Sequence, residues 1–116
     1  MNTTTDYARI YSKWHTYAPE HMAEMKEHFA RFAGAALPAN RDARILDVGC
    51  AMGFALRWLK DLGFSRAEGI DLDEGMVRQC LGQNLAATLV EDAAAWLAER
   101  PGAFDRIFAF DLVEHL

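Results

Sequence analysis

The chain is short of the features that mark several protein classes. It has two cysteines, Cys50 and Cys80, in 116 residues. That is too few to staple a small secreted scaffold, so both read as buried, reduced thiols of a cytoplasmic protein. Basic residues form no run, and 12 Lys and Arg stand against 17 Asp and Glu for a net charge of −5. A surface that grips a phosphate backbone needs a basic patch, so nucleic acid is not expected as a partner. No apolar stretch approaches the ~20 residues of a membrane span. The opening "MNTTTDYARIYSKWHTYAPEH" lacks the apolar centre of a signal peptide. There is no internal repeat, no low-complexity tract and no linker.

What is present reads as one modest globular core, with 52% hydrophobic and 25% charged residues. Tyr7, Tyr11, Trp14 and Tyr17 make the start aromatic. Pro19 suits the first helical position and Glu20 the first turn. Met22, Met25, Phe29, Phe32, Ala33 and Ala36 then recur at helical spacing up to Pro38. Beyond it, short apolar runs alternate with helical patterns. Strands are predicted at 43–48, 67–72, 87–91 and 104–110, and helices at 54–62, 74–84 and 92–100. Gly63 stops the first of these helices. Asp73 caps the second, with Met76, Val77, Cys80 and Leu81 facing inward. Strands alternating with helices imply right-handed crossovers and a parallel sheet.

The stretch "ILDVGCAMGFAL", residues 45–56, ends the first strand in a crowd of small residues. Open α/β sheets bind ligands at the carboxyl ends of their strands. Gly49 allows an unusual turn, and Ala51 and Gly53 keep side chains away from anything lying on it. A dinucleotide would need its pyrophosphate cradled by G-x-G-x-x-G. Here Ala51 replaces the middle glycine and Phe54 occupies the last fingerprint position. Asp47, two residues before Gly49, suits a ligand with an ammonium group better than a pyrophosphate. Asp71 ends the second strand, 22 residues after Gly49. It can accept from both hydroxyls of a ribose, which fits any nucleoside ligand.

With these residues in view, "ILDVGCAMG" resembles the first motif of class I S-adenosylmethionine-dependent methyltransferases, usually D-x-G-x-G-x-G; Ala51 departs from it. The resemblance covers about residues 40–116. It implies that the backbone from Asp47 through Gly49, Cys50 and Ala51 to Gly53 approaches the methionine part of S-adenosyl-L-methionine. Asp47 would hold the amino group and Asp71 the ribose, with Leu72 and Met76 against the adenine. In "LVEDAAAWL", Asp92 and the amide of Ala93 would meet the adenine edge. "FDRIFAFDLVEHL" is similar to a motif of the small-molecule branch, placing Phe110, Asp111 and Leu112 at the sulfonium end. Tyr11, Trp14 and His15 are candidates for a lid.

The resemblance further implies an α/β Rossmann-like parallel sheet flanked by helices, of which this chain supplies the first four strands, in order 3-2-1-4, of a seven-stranded fold. Residues 1–38 would be a helical segment and 39–116 the cofactor-binding domain. The fourth strand would be an apolar edge, covered by a second copy or by the remainder of a longer chain. His115 is a weak candidate for a general base. No third ligand accompanies Glu114 and His115, so no metal site is expected. His21 and His28 read as a solvated face. The acceptor is expected to be a small molecule. The alternatives are a fragment that binds the cofactor without turnover and, less favoured, an NAD-binding oxidoreductase.

Overall fold

The computed structural model describes residues 17–110. Helix α1 spans Pro19–Ala33, and a single 3-10 turn, Gly34–Ala36, follows it. Strand β1 is Ile45–Val48, α2 Phe54–Asp61, β2 Ala67–Asp71, α3 Glu74–Gly82, β3 Ala87–Leu89, α4 Ala93–Ala98 and β4 Arg106–Phe108. The strands form one sheet in the order β3-β2-β1-β4, with every pair parallel. This is the architecture expected of the methyltransferase-like fold.

Element ends follow local chemistry. Asp73 accepts from the Met76 amide at 3.1 Å and caps α3. Asp92 accepts from the Ala95 amide at 3.0 Å and caps α4. Each satisfies one of the orphan amides at a helix start. Gly63 closes α2 at φ +99°, a left-handed conformation that glycine adopts without penalty. At the entry to β4, the Asp105 carboxylate accepts from the Arg44 amide at 2.8 Å, which fixes the register of β4 on β1.

One core cluster joins α1 to the sheet through Phe29, Ala33, Ile45, Phe54, Trp58, Leu59, Phe64 and Met76. A smaller one gathers Cys50, Leu56, Cys80 and Leu85. Lys26 of α1 pairs with Asp61 of α2 at the surface.

Several expectations are corrected. Leu81 is exposed, not inward, because α3 rests on the sheet through Met76, Val77 and Cys80 alone. The α1 stripe is narrower than its spacing implies, with Phe32 69% exposed and Ala36 exposed beyond the helix end. His21 is half-buried, packing edge-on against Phe54 with ring centres 5.3 Å apart, while His28 is exposed as expected. The strands are shorter than predicted, and β4 ends at Phe108.

Candidate functional site

The parallel register brings the strand exits to one edge. Val48 pairs with Ile70, Asp71 with Leu89, and Asp47 with Phe108. The turn after β1, the acid ending β2 and the exit of β3 therefore stand side by side. The Val90 amide donates to the Asp71 carbonyl at 2.9 Å, which holds the approach to Asp92 against β2.

The turn itself is held tightly. Gly49 lies at φ +75°, Ala51 at +49° and Gly53 at +87°. The amides of Gly49 and Cys50 both donate to the Ile70 carbonyl, at 2.8 and 3.1 Å. The Gly53 amide donates to the Cys50 carbonyl at 2.9 Å. Ala51, in a backbone region that L-residues visit at a cost of about 1–2 kcal/mol, is clamped at both ends. Its amide donates to Asp71 Oδ2 at 2.9 Å, and its carbonyl accepts from Cys80 Sγ at 3.2 Å.

Asp71 is the hub of this edge. Oδ2 holds Ala51, and Oδ1 accepts from the Asp73 amide at 2.9 Å. A carboxylate has about four acceptor sites, so each oxygen keeps capacity for a further donor. Burial raises the Asp71 carboxyl above its ordinary range, and the amides of Asp73 and Ala51 oppose that shift. Asp47 is 1% exposed at the root of the turn.

The small residues of the turn also pack against the protein itself. Ala51 packs into the core and does not merely clear space for a ligand. A Cβ on Gly53 would stand 2.7 Å from Leu85 Cδ1 and 3.0 Å from Cys80 Sγ. Its missing side chain makes room for Cys80 of α3 and for Leu85 in the loop before β3.

The remaining candidates divide clearly. Leu72 is 53% exposed just past Asp71, an apolar side chain turned to solvent at the strand exit. Met76 is fully buried beneath that exit. Asp92 is exposed and Ala93 half-buried at the start of α4. Phe110 packs on Phe29 and stacks on Phe108, with ring centres at 4.9 and 5.1 Å. Tyr11, Trp14, His15, Asp111, Leu112, Glu114 and His115 lie outside the described residues.

Two contributors were missed in the sequence. Tyr17 reaches across to the turn, donating from its hydroxyl to the Met52 carbonyl at 2.9 Å, with Gln79 Oε1 3.2 Å away. Burial, reinforced by the Cys80 thiol, pushes the Tyr17 hydroxyl up to about 12. Gly69, mid-strand in β2, admits Cys50, since a Cβ there would lie 2.5 Å from Cys50 Cβ and 2.8 Å from its Sγ. A glycine inside a strand signals close approach of another chain segment, and that signal was available in "AEGIDL".

The comparisons agree with this fold. A family model described as a methyltransferase domain matches residues 45–116. The ubiquinone biosynthesis O-methyltransferase of Xanthomonas campestris pv. campestris (strain B100) is 34% identical over 92 residues, covering 72% of this chain and 36% of that protein. The same enzyme of strain 8004 matches to the same extent. The chain thus spans about a third of the length of the curated relatives it matches. Among solved structures, the plantazolicin methyltransferase BpumL, in complex with a monoazolic desmethylPZN analog and SAH, is similar in fold. It superposes with a TM-score of 0.50 at 20% identity, over 74% of this chain and 33% of that one.

Proposed function

Because the chain belongs to the methyltransferase-domain family, we propose that it forms the S-adenosylmethionine-binding part of a methyltransferase whose acceptor is a small molecule. The observation that carries the reading is where the turn's amides go. Those of Gly49, Cys50, Ala51 and Gly53 all donate to acceptors within the protein. A pyrophosphate needs such amides free. A ligand with an ammonium group and a ribose needs carboxylates instead, and the same edge supplies Asp47 and Asp71.

In this reading Asp47 meets the amino group and Asp71 the ribose hydroxyls. Leu72 covers one face of the adenine, with Met76 beneath the site as support. Asp92 and the amide of Ala93 stand at the adenine edge, and Phe110 backs the sulfonium end. Bound there, the cofactor supplies an electrophilic methyl group on a cationic sulfur. The chain's part is to hold and orient it, which is the main lever on an in-line transfer. In this reading residues 39–116 are the cofactor domain, and α1 docks on it through Phe29 and Ala33.

The relatives named for ubiquinone biosynthesis support a small-molecule acceptor, and the two free buried thiols support a cytoplasmic setting. Among the described residues β4 is an edge of the sheet, and the reading has it covered by a second copy or by further chain of a longer protein.

Calorimetric titration with S-adenosylhomocysteine tests the reading, with NAD as control. Saturable binding is expected. Asp71→Asn should weaken it about tenfold to a hundredfold, the worth of a hydrogen bond or two to a charged acceptor. A chain folded by circular dichroism that binds no S-adenosylhomocysteine, or binds NAD as well, refutes it.

A further inference from the structure

The chain's two cysteines, 30 residues apart in sequence, meet in the fold with Sγ atoms 3.9 Å apart. Cys50 sits on the turn after β1 and Cys80 on α3. Both are free thiols, 1% and 0% exposed. As mere small apolar fillers they would need no particular neighbours. Their neighbours are particular. Cys80 Sγ donates to the carbonyl of Ala51, the left-handed residue that follows Cys50. Gly69 and Gly53 leave the space in which the two sulfurs stand. No third metal ligand is at hand, since no cluster of three or more His, Cys, Asp or Glu suited to a metal occurs among the described residues.

A disulfide bond is about 2.0 Å long. Closing the gap needs each sulfur to move about an ångström, within reach of a rotamer adjustment and a slight shift of α3. We propose that Cys50 and Cys80 are an oxidisable dithiol, converted by a small-molecule disulfide into an intrachain bridge that staples the cofactor turn to α3 and weakens cofactor binding. The link to binding rests on the function proposed above; the bridge itself does not.

The chemistry balances with oxidised glutathione as the oxidant. One cysteine thiolate attacks a sulfur of the glutathione disulfide and expels one glutathione thiolate. The second cysteine attacks the protein sulfur of the mixed disulfide and expels the other. Two S–H bonds are lost and one S–S bond forms. The protons and the two electrons leave in two molecules of reduced glutathione. Burial of both sulfurs makes the exchange slow and dependent on opening of the turn. The hydrogen bond with Cys80, followed by burial, pushes the Cys50 thiol up and slows it further.

The effect on binding follows from one lost bond. Once in a disulfide, Cys80 has no proton to donate, and the Ala51 carbonyl loses its partner. The clamp on the one non-glycine left-handed residue of the turn is then released at that end. By reciprocity, bound cofactor must disfavour closure by the same factor by which closure weakens the cofactor.

The test incubates the full chain with oxidised glutathione, with and without saturating S-adenosylhomocysteine, and counts thiols after denaturation. Free thiols should fall from two per chain to none, with a mass loss of two hydrogens and no cross-linked dimer. Cofactor product should slow the loss. The bridged chain should bind S-adenosylhomocysteine about tenfold more weakly or worse, an ordinary coupling between linked sites, and dithiothreitol should restore it. Cys80→Ser should yield only a glutathione adduct. A folded chain that keeps both thiols, that bridges only between chains, or whose affinity is unchanged by closure overturns the proposal. The thiol count needs no cofactor, so a reduced chain that binds no S-adenosylhomocysteine sinks the earlier reading while the count still decides the bridge.

Discussion

Replacing Gly53 by alanine tests how the turn is built. At φ +87° an alanine pays about 1–2 kcal/mol for the left-handed conformation. It recovers about 0.4–1 kcal/mol because the unfolded chain is stiffer. The new methyl would stand 2.7 Å from Leu85 Cδ1 and 3.0 Å from Cys80 Sγ. Leu85 is a flexible end and Cys80 sits on a packed helix, so overpacking adds about 1–3 kcal/mol. The net expectation is a loss of roughly 2–4 kcal/mol, a large share of the ~5–15 kcal/mol typical of a native domain. Urea unfolding followed by circular dichroism would read it. A double-mutant cycle with Leu85→Ala isolates the contact. Leu85→Ala alone should cost about 2–5 kcal/mol, and the paired variant should be less damaged than the sum by about 1–2 kcal/mol. Additivity to within ~0.5 kcal/mol would mean that the methyl does not meet Leu85. A Gly53→Ala chain within ~0.5 kcal/mol of the parent would refute both the backbone argument and the packing argument.

Other outcomes follow from the same region. Ala51→Gly relieves about 1–2 kcal/mol of backbone cost but loses ~0.8 kcal/mol of methyl burial and about 0.4–1 kcal/mol to unfolded-chain entropy. Its urea midpoint should barely move, and a loss beyond ~2 kcal/mol would show that Ala51 matters for more than shape. Tyr17 should titrate late. Its hydroxyl rises from 10.0 to about 12, so the unfolded chain releases that proton first, and folding stability falls as pH rises through that window. Tyr17→Phe should remove both the late tyrosinate absorbance and that part of the fall. Three tyrosines titrating together near the ordinary value would refute the Tyr17–Met52 contact.

What could be read from the sequence was what local chemistry decides. The element order followed from periodicity, and Asp73, Asp92 and Gly63 act within a turn of their own positions. The sheet order came with a family resemblance, whereas the expected roles of Asp47 and Asp71 came from their carboxylate chemistry and their places at the strand ends. What escaped notice joins distant residues. Nothing near Tyr17 announces Met52, and nothing near Cys50 announces Cys80 or Gly69. Apolar spacing told that α1 and α3 have an inward stripe, but not how wide a stripe the sheet covers, and so Phe32 and Leu81 were misplaced. Ala51 was read for its size, whereas its backbone angle is what sets it apart.

The glycine inside β2 has a consequence for how this sequence can change over generations. Position 69 is empty because position 50 leans into it, and position 53 is empty because positions 80 and 85 do. Neither member of such a pair can drift alone. A lineage that enlarges residue 69 must first make room at residues 50 and 56, and one that adds a side chain at 53 must first yield at 85. Across descendants of this chain, volume at these positions should therefore be traded in fixed order, partner first. The turn's history would then be recorded in paired substitutions between segments far apart in the chain.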